Sequence, residues 1–134
     1  MSADTKLTVG SEVLFRQIHP KFFEKGEPAS NRFMPSASDE NKLSLDRGSM
    51  VTAAESHANY TAGGLESAAV YGVDVSEFAG ESIACHSDPV VPTSGVAANP
   101  AHAIADYSSH VAKAHKIIAV RLKRLAMTRG RLHP

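Results

Sequence analysis

The run Glu12-Val13-Leu14-Phe15-Arg16-Gln17-Ile18 restricts the fold more than any other stretch, because it is apolar enough to be a strand and stops at His19-Pro20. Side chains alternate across a strand, so Val13, Phe15 and Gln17 go to one side and Leu14, Arg16 and Ile18 to the other. Arg16 is therefore expected on an apolar face. Burying a guanidinium without a partner is expensive, and its planar fork suits phosphate or carboxylate. Two readings stay open: an anionic ligand, or an internal salt bridge to Asp39, Glu40, Asp46 or Glu55, with the salt bridge standing first. His19 has a similar pair of readings, a contact to a ligand or a satisfied turn carbonyl.

The chain from Lys21 to Ser38 holds Gly26, Pro28 and Pro35 between the apolar anchors Phe22, Phe23, Phe33 and Met34. That composition predicts a long loop that packs. Leu43–Leu45 reads as a short strand ended by the turn signal Asp46-Arg47-Gly48. In Thr52-Ala53-Ala54-Glu55 the hydroxyl of Thr52 can accept the Glu55 amide while the Glu55 carboxylate reaches back, which is a capping box. A helix is expected from there to about Thr61, closed by Gly63-Gly64.

Ser67 to Val75 is a run of small and β-branched residues without charge until Asp74, so it is expected as a central strand covered on both faces. Ser76 is expected to cap a short helix running through Cys85. Prolines at 89, 92 and 100 exclude regular structure over most of 87–100, which is expected to be the most mobile internal stretch. His102–Tyr107 reads as a strand, and Ser108 or Ser109 as the opening of the last and longest helix. Val111, Ala114, Ile118, Leu122 and Leu125 form its apolar stripe, with Lys113, Lys116, Lys123 and Arg124 largely off it. Gly130 stands where a helix ends.

These elements give a single α+β domain, mixed α/β in composition, with about four strands and three helices over residues 11–134 and a flexible N-terminus over 1–10. A chain of 134 residues has room for one core. Lys plus Arg and Asp plus Glu are equal at 14 each, so no global field points to nucleic acid or anionic membrane. The balance is uneven along the chain, because seven of those basic residues lie between Lys113 and Arg131 and no acid follows Asp106. Lys113, Lys116, Lys123 and Arg124 could follow a phosphate backbone, or form a solvated face that complements the helix dipole. One cysteine allows no internal disulfide, no signal-peptide pattern opens the chain, and no apolar run spans a bilayer, which together read as a cytoplasmic protein.

Metal, thiol and triphosphate chemistry find little support. The seven histidines make no i, i+4 pair, and Cys85-His86 has no second cysteine, so no metal site is expected. Cys85 at the end of a short helix lacks the features that activate a thiol and reads as a core residue. Gly63-Gly64 lacks the Lys-Ser or Lys-Thr of a phosphate loop.

The combination of Phe15-Arg16-Gln17-Ile18-His19-Pro20, Asp39-Glu40-Asn41 before Leu43-Ser44, and His102-Ala103-Ile104-Ala105-Asp106-Tyr107 ahead of a basic helix resembles a family of small uncharacterised bacterial proteins. A second resemblance is to the ADP-ribosyltransferase and RES-domain group, in which a first strand bearing Arg precedes a variable loop, a short strand and a helix. Arg16, Ser44 and Glu55 are set against that pattern. It implies NAD as cofactor and ADP-ribosyl transfer or NAD cleavage, with Arg16 on the pyrophosphate and His19 or Glu55 near the ribose. Three functions are thus expected: first a small accessory protein that binds a protein partner and needs no cofactor, second the NAD-dependent enzyme, third a weak nucleic-acid binder.

Overall fold

The computed structural model describes residues 5–93 and 97–134. Strand β1 (Val13–Ile18) is followed by a small hairpin, β2 (Phe23–Glu24) and β3 (Glu27–Pro28), whose two-residue turn uses positive φ at Lys25 and Gly26. Then come β4 (Lys42–Arg47), α1 (Ala53–Ala62), β5 (Ala69–Asp74), α2 (Val75–Gly80), β6 (Ala84–Ser87), β7 (His102–Asp106) and α3 (Ala112–Arg129). The five long strands form one antiparallel sheet in the order β5-β1-β4-β7-β6. The α+β class therefore holds, with five strands in the main sheet instead of four.

The extra strand is β6. Cys85 was expected on a helix, but that helix is shorter and starts earlier: Asp74, not Ser76, accepts the Glu77 amide while the Glu77 carboxylate accepts the amide of Asp74. An Asp side chain caps as well as Ser. The helix closes at Gly80, and Ser82 at φ 60° turns the chain back into β6.

One sheet face carries the core. Leu14 and Ile18, Leu43 and Leu45, Ala69, Tyr71 and Val73, and Ala103 and Ala105 pack beneath Ile118, Ala119, Leu122 and Ala126 of α3. Alanines on both sides let the helix lie close to the strands. This shifts the buried face of α3 from the one expected, because Val111 is 72% and Leu125 37% exposed while His115, Ala119 and Ala126 are buried. A hydrophobicity pattern passes over alanine and histidine, yet alanine is what close packing needs, and His115 satisfies its ring against the Tyr107 carbonyl at 3.3 Å. The helix also opens later than Ser109, at Val111, since the Asp106 side chain holds the Ser108 amide in a turn. The stretch expected as a long loop also holds a 3-10 turn, Ser30–Phe33, in which Phe33 is fully buried and its carbonyl accepts the Tyr107 hydroxyl.

Strand β5 is buried along most of its length, as expected, but it stands at an edge and not at the centre. Its outer edge is covered by the tail: the Leu132 amide donates to Val70 and the Val70 amide to His133. At the opposite edge, Leu7 donates to the Cys85 carbonyl and Ser87 to that of Thr5, and Leu7 joins the core. Residues 5–10 are thus held by pairing and packing, and the first four residues of the expected flexible N-terminus lie outside the described residues. Covering both edges removes the unpaired rows that would template association. In the stretch 87–100, of which 94–96 lie outside the described residues, Val90 pairs with Asn99 in a single bridge. No helix of the described residues is long and apolar enough to cross a membrane.

Candidate functional site

Strands β1 and β4 pair only at Leu14–Arg47 and Phe15–Asp46. Beyond Phe15 they part, while β1 stays paired with β5 as far as Ile18. Residues of an antiparallel strand alternate between its two neighbours. Asn41 and Arg47 bond toward β7, so the even positions of β4 turn toward β1, and Ser44 is the first of them left without a partner on β1. Arg16 fills that wedge. Its Nη1 donates to the Ser44 carbonyl at 3.2 Å and its Nε to the Arg32 carbonyl at 2.7 Å.

Those two carbonyls are its bonded partners; among the described residues none of Asp39, Glu40, Asp46 or Glu55 reaches it as a salt bridge. The expected internal ion pair is replaced by backbone, because the strands part where Arg16 stands and leave a carbonyl facing it. Every buried side-chain polar atom among the described residues has a partner, and Arg16 as a whole is half-buried. Arg32 stands beside it, its guanidinium 3.9 Å above the Phe22 ring and its Nε on Asn31. Burial, then the neighbouring charge of Arg32, pushes the Arg16 guanidinium down to about 10. Burial likewise lowers Arg32. Tyr60 of α1 and Asp39 are close enough to act the other way on both, and Asp39 is itself held below the usual carboxylate range by the hydroxyl and amide of Ser36.

The other expected site residues do not converge on Arg16. His19 caps the turn Pro20–Phe22 by accepting the Lys21 amide on Nδ1, and its Nε2 lies 3.1 Å from Glu66. Ser44 meets Arg16 through its carbonyl, while its side chain shares the opposite sheet face with Asp46. Glu55 is on α1, which covers that same opposite face through Ser56, bonded to both Gln17 and Asp46. There its carboxylate accepts the Thr52 amide and its own amide meets the Thr52 hydroxyl, completing the expected capping box. On α3, Lys113, Lys116 and Arg124 are exposed beside Ile117 and Val120, whereas Lys123 turns to Glu27 at 3.0 Å. Cys85 lies in β6 at 1% exposure, its thiol pushed up to about 12 by burial and then by Glu12.

Arg32 and Tyr60 escape the sequence reading. Arg32 sits in the short 3-10 turn Ser30–Phe33, within a stretch expected as loop, and only tertiary structure brings it to β1. No protein-family model, curated protein or solved structure matches this chain.

Proposed function

We propose that this chain is a partner-binding protein that takes an anionic group, a carboxylate or phosphate presented by a partner protein, into the wedge between β1 and β4. The observation that carries the reading is an arginine pair, Arg16 and Arg32, with no ion pair to a carboxylate among the described residues on either guanidinium and with Arg16 half-buried. A guanidinium oriented by two carbonyls is prepared for a bidentate contact, and an arriving anion relieves the repulsion between the two arginines. The NAD-dependent enzyme reading uses the same Arg16 for a pyrophosphate. It gains nothing from Ser44 and Glu55, whose side chains belong to the other side of the sheet.

The test is thermal unfolding of wild type, Arg16→Lys and Arg32→Ala with a glutamate-rich peptide, a phosphopeptide, pyrophosphate and NAD in turn. Wild type is expected to gain stability with at least one peptide, by about 2.7 kcal/mol at a hundred times its Kd, and to lose that gain in high salt. Both variants should respond less. A shift with NAD and none with the peptides favours the enzyme reading. A wild type indifferent to all four ends the proposal.

A further inference from the structure

A second opening of about 650 Å³ lies at the start of β1, and neither Arg16 nor Arg32 lines it. Its floor is Val13 and Phe15, and its walls are Ala53 at the start of α1 and Leu132 of the tail. Two glycines make this arrangement possible. A side chain on Gly72 would stand 2.5 Å from Val13 Cγ1 and 2.8 Å from Leu132 Cδ1, and one on Gly48 would stand 2.5 Å from the Val13 carbonyl oxygen. The volume falls within the range of small-molecule sites, and apolar walls with a few fixed polar groups are the usual composition of such sites.

The polar groups are Arg47 and Arg129, each fixed from behind. Arg47 Nε and Nη2 hold the two Glu12 oxygens at 2.9 and 3.0 Å, and the Ser49 hydroxyl closes on the same carboxylate. Arg129 reaches the Gly72 carbonyl and Glu77 through Nη1 and Asp74 through Nη2. Side-chain exposure decides what a ligand meets. Glu12 is 4% exposed against 25% for Arg47, and Arg129 shows 23%. Glu12 is sealed behind Arg47, and Asp74 and Glu77, at 16% and 19% exposure, lie outside the lining, so the opening meets Arg47 and Arg129 above an apolar floor. The positive end of α1 adds to them at Ala53.

We infer that this opening binds a small monocarboxylate with an apolar body, its tail on Val13 and Phe15 and its carboxylate at the edges of Arg47 and Arg129. The site is separate from the wedge, because Arg16, Arg32 and Ser44 do not line it and its floor, Val13 and Phe15, faces away from Arg16.

Octanoate, with octanol as its uncharged counterpart, is the probe for titration calorimetry and amide chemical-shift mapping on the full chain. Saturable binding of octanoate is expected, with shifts centred on Val13, Phe15, Gly48 and Ala53. Octanol should bind roughly ten-fold more weakly or worse, since it lacks the charge-assisted bonds. Ala53→Phe, which fills the opening while keeping the Thr52–Glu55 capping box, should abolish binding, and Arg16→Lys should leave it unchanged. Equal binding of octanol and octanoate overturns the carboxylate assignment. Absence of saturable binding to wild type, or shifts centred on Arg16 and Arg32, overturns the site. The wild-type mapping decides the question even if Ala53→Phe fails to fold, and the Arg16→Lys arm separates a failure here from a failure of the wedge.

Discussion

Replacing Arg16 by Met separates a binding arginine from a structural one. Methionine keeps the length and packing of the arginine stem, so the change removes the guanidinium and little else. Two charge-assisted bonds are lost, to the carbonyls of Arg32 and Ser44, together about 3 to 6 kcal/mol. Against this, a guanidinium pushed down to about 10 keeps its charge at a cost on the order of 3 kcal/mol, which disappears with it. Ser44 is exposed, so its carbonyl can take water instead. The net expectation is a loss of about 0 to 3 kcal/mol in urea titration, with an unchanged slope. Removing one partner of a buried ion pair would instead cost about 3 to 5 kcal/mol. A loss above about 3 kcal/mol, or a methionine variant that keeps the wild-type response to anions, would refute the reasoning.

In α3, Leu122→Ala is expected to cost about 2 to 5 kcal/mol and Val111→Ala within about 0.5, read by urea titration, because Leu122 is fully buried and Val111 projects into water. Thr52→Ala should cost about 0.5 to 2 kcal/mol through loss of the capping box, and Thr52→Ser little, by the same assay. For Glu12, burial opposes ionisation, but the bonds from Arg47 and Ser49 outweigh it and lower its pKa. A lowered folded pKa gives stability that is present above the unfolded value of about 4.5 and lost as pH falls through the folded one. Glu12→Gln should therefore flatten the acid limb of a stability-against-pH curve, and an unchanged limb would place that proton elsewhere.

The features legible in the sequence are those fixed by near neighbours. The alternation of β1 placed Leu14, Arg16 and Ile18 on one face, and Thr52 with Glu55 located the start of α1, since both depend on spacing within a few residues. Asp74-Val75-Ser76-Glu77 carries an equally local capping box, and reading past it to Ser76 displaced α2 and hid β6. The face of α3 was harder, because its contact with the sheet uses Ala119 and Ala126, whose small size becomes informative only once Ala103 and Ala105 lie opposite. The central position expected for β5 failed for a related reason: burial on both faces marks coverage, and an edge strand can be covered when the tail closes over it.

The candidate site shows where local reading ends. That Arg16 shares an apolar face follows from period two, but its lack of an acidic partner does not. It depends on β1 and β4 parting after Phe15, which exposes the Ser44 carbonyl, and on Arg32 arriving in a 3-10 turn anchored by Phe33. Backbone carbonyls leave no signature in a sequence, whereas Asp39, Glu40, Asp46 and Glu55 are conspicuous, so an internal salt bridge looked the more natural partner. Each of those acids bonds elsewhere or stays exposed: Asp39 to Ser36, Asp46 to Ser56 and Asn99, Glu55 to Thr52, and Glu40 in solvent. A charge whose nearest acids are already engaged, and whose closest cation is a second arginine, is costly to keep in the free protein. In the proposed function, that cost is what an anion from outside would recover by supplying a partner.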